Sequence, residues 1–331
     1  MKVKILAISL LMISLCYVQS ASAKVIKIAT LSPDGTAWMT AMRSGAEEIK
    51  KQTQGRVVIK FYPGGVMGND KNVLRKIRIG QLHGGAVTTG SLTSVYPDMD
   101  IYGLPYLFEN QKQVDGVRAK LDKELLDGLE KKGFVGFGLA GGGFTYMMSD
   151  GIVKTVDDAK AKKIWIPSDS DVGIAVFDSA GISPVPLPLS DVLTGLQTGL
   201  VDTIFASPIG AIALQWHSKI KYIVDVPLTY LSALLVIQKK TFSKLKSSDQ
   251  DIVRKVMSDV FAAINKKNQE DNISARNALI NNGIEFIKLS EADMSVWLDV
   301  GKKAMRKLEL KNNYSKVLYD RLQKTVKEIA Q

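Results

Sequence analysis

The 331-residue sequence contains one cysteine and two histidines. So few of either exclude a disulfide scaffold and a Cys/His zinc site. With 27 glycines and 10 prolines the chain is far from collagen composition. No sustained heptad pattern supports a coiled coil. Beyond the N-terminus no segment offers the roughly 18 unbroken apolar residues of a spanning helix, so a multi-span membrane protein is excluded too. Acidic residues are outnumbered, 33 against 44 basic ones, for a formal charge of +11. Much of that excess lies in helical stretches mixed with acids, such as Lys266-Lys267, Lys302-Lys303, Lys324 and Lys327. Without a concentrated basic stripe and aromatic platforms, no nucleic-acid partner is expected. What is present is an ordinary globular balance, 46% hydrophobic and 23% charged, long enough for about two domains of roughly 150 residues.

The first 23 residues read as an address. Lys2 and Lys4 precede the apolar run Ile5 to Val18, and Ser20-Ala21-Ser22-Ala23 supplies small residues for cleavage. A basic start, a short apolar middle and an A-x-A box make a secretory signal peptide. The residue before Cys16 is Leu15, where a lipidation site favours a small one. The expected mature chain starts at Lys24, carries a charge of +9 once Lys2 and Lys4 are lost, has no cysteine, and resides in the periplasm.

Caps and periodicity then give alternating strands and helices. Val25 to Ala29 predicts a strand. Ser32-Pro33 predicts a helix start, with Met39, Met42, Ala46 and Ile49 on one face and Gly55 at its end. Arg56 to Phe61 predicts a strand, Pro63-Gly64-Gly65 a turn, Asn69 to Ile79 a helix and Gly84 to Thr88 a strand. The same order recurs with a strand at Lys163 to Ile166, a helix from Asp171 to Ala180, a helix capped by Ser190 and a strand from Val201 to Phe205. Two such α/β units imply mostly parallel sheets. Phe134 to Met148 and Ser232 to Lys240 read as long extended segments between them, two crossings that would form a hinge. The segment Ser247-Ser248-Asp249-Gln250 predicts a capping box opening a helix of about 50 Å that ends at Gly283 and runs along both units. A strand at Ile284 to Ile287 and two further helices follow.

Catalytic constellations are missing. His83 lies in Leu82-His83-Gly84-Gly85 with no G-x-S-x-G elbow, and His217 follows Trp216 on an amphipathic stretch. Gly141-Gly142-Gly143 lacks the following Lys-Ser/Thr of a phosphate loop and reads as backbone freedom at a crossing. Asp157-Asp158 and Asp169 with Asp171 have no identifiable acid partner, and no EF-hand pattern surrounds them; Asp157 reads as a turn cap. No enzyme activity, metal or cofactor is expected.

Five stretches stand in one order: Gly55-Arg56-Val57-Val58-Ile59, Tyr62-Pro63-Gly64-Gly65-Val66-Met67-Gly68, Gly103-Leu104-Pro105-Tyr106-Leu107-Phe108, Ala161-Lys162-Lys163-Ile164-Trp165-Ile166-Pro167, and Gly195-Leu196-Gln197-Thr198-Gly199-Leu200-Val201-Asp202. In that order they resemble the DctP-type solute-binding proteins of tripartite ATP-independent periplasmic (TRAP) transporters, over essentially the whole mature chain. The resemblance implies a two-lobed α/β periplasmic binding protein (type II-like) with crossing hinge strands and a long spanning helix. It implies capture of a small solute by hinge closure, and delivery to a small four-helix and a large multi-span membrane subunit. A ligand-sensing module for a receptor kinase would share this fold. Approximate lobes are 24–145 with 232–283, and 146–231 with 284–331.

The sequence departs from that family at one telling place. The family's Lys-Ile-Arg-Val strand has Trp165 for its carboxylate-gripping arginine, and no arginine occurs between Arg118 and Arg254. An indole offers one N–H and an apolar face in place of a bidentate fork. Residues matching the family's cleft loops are Asp34, Thr36 and Trp38; Thr88, Thr89 and Ser91; Phe144 and Tyr146; and Trp165, Ser168, Asp169, Phe205, Ser207 and Trp216. Such aromatic faces with a few carboxylates suit a sugar or polyol, an aromatic solute or a cationic amine. An acid held by hydroxyls and backbone N–H groups, or bridged through a metal, stays open.

Overall fold

The computed structural model describes residues 23–168, 170–311 and 313–330. Residues 1–22 of the expected signal peptide, and Asp169, lie outside the described residues.

The chain enters through β1 (Lys24–Thr30), whose Ile26 and Ile28 are buried while Lys27 is exposed, the period-two pattern of a strand. Helix α1 (Ala37–Gln52) buries Met39, Met42, Ala46 and Ile49 on one face, as their spacing predicted. Its cap is Thr36, whose hydroxyl accepts from Met39 N; Ser32, the expected cap, instead bonds the Thr36 hydroxyl at 2.9 Å. Then come β2 (Val57–Tyr62), α2 (Asp70–Arg78, capped by Asn69) and β3 (Gly84–Thr88). Strand β1 pairs in parallel with both β2 and β3. Helix α3 (Gln111–Lys131), which the sequence reading omitted, leads into the 16-residue β4 (Phe134–Ser149).

A second, smaller sheet region repeats this order. It comprises α4 (Val156–Lys160), β5 (Trp165–Pro167), α5 (Asp171–Ser179), β6 (Val185–Leu187), α6 (Val192–Thr198), β7 (Thr203–Ala206), α7 (Pro208–Ala213) and β8 (Tyr222–Val224). Strand β5 pairs in parallel with β6, and the bridge Ile164–Thr203 joins it to β7. The chain returns through β9 (Thr229–Gln238), α8 (Lys239–Phe242), α9 (Ser247–Asn281), β10 (Glu285–Ile287), α10 (Glu291–Leu310) and α11 (Lys316–Ala330).

Strands β4 and β9 make the crossing. Phe134 to Thr145 pairs antiparallel with β9, while Tyr146 to Ser149 pairs with β7. Strand β9 in turn pairs antiparallel with β3. One continuous sheet therefore runs β2-β1-β3-β9-β4-β8-β10, with β7 also pairing β4 and the short β5-β6 pair bridged to β7. Helix α9, 35 residues long, packs on α1, β4 and α7 and so spans both halves. Gly45 of α1 lets it approach: an added Cβ would stand 2.7 Å from Val260.

Several local expectations are corrected. Lys246, not Ser247, precedes α9 and forms no side-chain cap; Gln250 donates to Leu245 O instead of closing a box. Thr155 caps α4 in a capping box with Asp158, so Asp157 is not the cap. Asp191, not Ser190, stands at the start of α6. Helix α11 lies on α3, with Ile329 against Gly116 and Lys120 paired to Glu328.

Candidate functional site

In open α/β sheets the carboxyl ends of parallel strands leave helix N-termini and loop N–H groups facing a crevice. Here those ends are Thr30 to Ser32 and Thr88 to Ser91 on one side, and Pro167 to Ser168 and Ala206 to Ser207 on the other. Asp100, hydrogen bonded to Thr89 at 2.9 Å just beyond β3, feels the negative charge of Asp171 in the first turn of α5, just beyond β5.

Most hydroxyls expected at the crevice are already engaged. Thr36 and Ser207 cap α1 and α7. Thr88 donates from its backbone N and its Oγ1 to Asp70, both at 3.0 Å, and Ser91 donates to Thr88 O at 2.7 Å. Thr89 is 1% exposed and lies within hydrogen-bond reach of Asp100 and of Ser232 O. Asp34 is exposed and held by Arg43, while Ser168 is exposed. On the crossing strands Phe144 meets Tyr230 edge to face at 5.2 Å. Tyr146 is half-buried, its hydroxyl pKa pushed up by burial and in the opposed fields of Arg276 and Asp225. Phe205 packs on Phe177 at 5.3 Å.

The sequence reading missed Asp100. Asp100 is enclosed by Thr89 and by two glycines: an added Cβ at Gly103 would lie 2.7 Å from its carboxylate oxygen, and one at Gly90 3.3 Å. Burial lifts its pKa to about 6; the Thr89 hydroxyl opposes the rise and Asp171 adds to it. Both histidines are structural. His83 Nδ1 accepts from Lys27 N at 3.0 Å, and His217 Nδ1 lies 3.2 Å from Ala211 O. Among the described residues no group of three or more His, Cys, Asp or Glu is placed to hold a metal, and no helix is long and apolar enough to cross a membrane.

Residues 28–312 match the model of the DctP family, described as bacterial extracellular solute-binding protein, family 7. The chain belongs to that family. The C4-dicarboxylate-binding periplasmic protein DctP of Rhodobacter capsulatus is 26% identical over 77% of this chain and 77% of its own length. Across the curated relatives the matched share of the relative ranges from 62% to 79%, so some are spanned over less than two thirds. A TRAP periplasmic solute-binding protein of Shewanella oneidensis, solved with bound succinate, superposes with a TM-score of 0.83 at 20% identity, over 92% of this chain and 100% of the other. One from Xanthobacter autotrophicus, solved with β-D-galacturonate, gives 0.81 at 22%, over 92% and 98%. At those identities the superpositions carry the fold. This chain is thus a bacterial extracellular solute-binding protein of the DctP family.

Within this DctP-family protein the tryptophans are corrected. Trp165 does not offer its face to the crevice: it is 2% exposed, its Nε1 donates to Leu187 O at 3.0 Å, and it packs on Trp216, itself 2% exposed. A large aromatic on a three-residue strand has more apolar area to bury than a polar crevice can offer, so it turns into the core. Trp38 is half-buried against Phe261 and donates to Asn268 at 3.1 Å. Arg118 is tied to Asp122 and Arg276 to Asp225.

Proposed function

We propose that this DctP-family protein captures a small organic acid in the crevice between its two halves, closing about β4 and β9, and hands it to the membrane subunits of a TRAP transporter. The loops at the carboxyl ends of β1, β3, β5 and β7, taken to line one crevice, carry the reading. Succinate and galacturonate in the solved relatives support an acid of that size. The contacts assigned to it are the first-turn N–H groups of α1 and α5, the Ser168 hydroxyl, and the apolar faces of Phe144 and Phe205. A helix N-terminus favours an anion by roughly 0.3–1 kcal/mol. Two of these replace part of what a guanidinium fork supplies. The moving bodies are 24–145 with 232–283 and 146–231 with 284–311, with α11 riding on the first body. Export to the periplasm with cleavage near Ala23 completes the assignment.

A thermal-shift screen tests it. Succinate, D-galacturonate and L-gulonate are compared with neutral sugars and quaternary amines. A solute at about 100 times its Kd adds ~2.7 kcal/mol of stability. Stabilisation by an acid supports the reading; stabilisation confined to neutral or cationic solutes overturns the acid assignment while leaving the binding protein intact.

A further inference from the structure

Strand β4 is irregular where it crosses. Its register against β9 slips between Gly141 and Gly143, and Gly143 sits at φ +98°, in the left-handed region that favours glycine. Backbone polar groups at such a place need partners from outside the ladder. They come from side chains of α9. Asn265 Oδ1 accepts from Gly141 N at 2.9 Å, Asn268 Nδ2 donates to Gly141 O at 2.8 Å, and Asn272 Nδ2 donates to Gly142 O at 3.1 Å. Residues 265, 268 and 272 follow one another at three and four positions, so they share one helix face. They act as a surrogate edge strand.

The other ends of two of these amides reach opposite halves of the molecule. Asn268 Oδ1 accepts from the Trp38 indole N–H at 3.1 Å, in the first turn of α1. Asn272 Oδ1 accepts from Ile209 N at 3.3 Å, in the first turn of α7. One amide therefore ties hinge to first half, and the next, one turn along, ties hinge to second half. Asn268 is 2% exposed, so leaving its groups unpaired is costly. Space is tight as well: an added Cβ at Gly143 would lie 2.6 Å from the Asn272 amide. A rotation of one half about the crossing cannot preserve both ties.

We infer that Asn268 and Asn272 are the positioning residues of the hinge, a two-armed amide clip on α9 that sets the angle between the halves before any solute arrives. This goes beyond solute capture and does not depend on which solute is bound. With both arms made, the two halves are held at the angle seen in this structure. Loss of the Ile209 arm frees the second half, and loss of the Trp38 arm frees the first.

The test uses the chain from residue 24 onward, which has no native cysteine. Val66→Cys and Leu200→Cys, exposed at 70% and 51% and on opposite halves, carry spin labels for a distance distribution without solute. Asn268→Ala and Asn272→Ala, checked for folding by circular dichroism, are expected to broaden the distribution and add a longer-distance population. Asn272→Asp keeps an acceptor for Ile209 N but loses the donor to Gly142 O, and is expected to shift less. A merely structural role would lower the melting temperature and leave the distribution of the folded protein unchanged; that result overturns the inference. Should the alanine variants not fold, hydrogen exchange in the unmutated protein decides. Protection of the Ile209 amide and the Trp38 indole N–H together supports the clip, and rapid exchange at either within a protected core overturns it.

Discussion

Trp165 and Trp216 meet edge to face, ring centroids 5.2 Å apart and planes at 70°, inside the core of the second half. Ala206, Met148 and Leu279 belong to the same cluster. The position at which the family resemblance implies a ligand-gripping arginine thus serves packing here, and its one N–H is already bound to Leu187 O.

Trp165→Ala is therefore expected to act on stability. Loss of a buried aromatic of this size costs about 3–5 kcal/mol. Urea unfolding should show a lower midpoint with little change in slope. A loss below about 1 kcal/mol, with acid binding abolished, would place the indole at the site instead.

Asp100 should leave a signature in the pH dependence. Its folded-state pKa, about 6, stands above the 3.8 of a free aspartate, so between those values the folded protein holds a proton that the unfolded chain releases. Stability then falls as pH rises from about 4 to about 6 and stays reduced above that, by up to about 3 kcal/mol for a shift of this size. Asp100→Asn keeps the acceptor for Thr89 and is expected to flatten that descent and to stabilise the protein at pH 7. Denaturation series at pH 4, 5, 6 and 7 on both proteins provide the comparison; parallel curves would remove Asp100 as the cause.

Arg118 lies at the junction of α3, β4 and α9. It pairs with Asp122 at 2.9 Å, donates to Leu139 O and Asn265 Oδ1, and is 8% exposed. Asp122 also accepts from the Tyr102 hydroxyl at 2.8 Å. Arg118→Leu leaves that carboxylate without its cation, an expected cost of about 3–5 kcal/mol. The double change with Asp122→Leu should recover part of the loss, because no orphan charge remains. Equal losses in single and double variants would refute the pairing argument.

Gly143→Ala combines a positive φ with a clash against Asn272. A cost of at least about 1–3 kcal/mol is expected. The control Gly35→Ala, also at positive φ but with no atom within 4 Å of the added Cβ, should cost less. Thermal unfolding of the two variants side by side gives the answer.

The elements that the sequence exposed most clearly were those whose signals are local. The spacing of Met39, Met42, Ala46 and Ile49 identified α1 without its exact cap, Gly84 to Thr88 matched β3, and Gly80, Gly181, Gly199 and Gly283 marked helix ends at positive φ. The two crossings were visible because β4 and β9 are long and apolar. Helix α3 was overlooked, because only five apolar residues among 21 are buried, and Gln113 and Arg118 share their face. The candidate site was legible only in outline: its loops follow from strand ends, but Asp100 sits in a short turn that nothing nearby in sequence marks as special.

By itself, then, the order of residues determined the alternation of strands and helices, the two long crossing strands and the long helix. Those rest on periodicity, glycine placement and composition, which act within a few residues. Only the tertiary structure decided that Trp165 faces the core, that Asp100 sits against Thr89 and Gly103, and that Asn268 and Asn272 grip the crossing strand. Each of these joins groups distant in sequence, and whether a side chain turns to solvent, core or crevice depends on which neighbours the fold brings within hydrogen-bond or van der Waals reach.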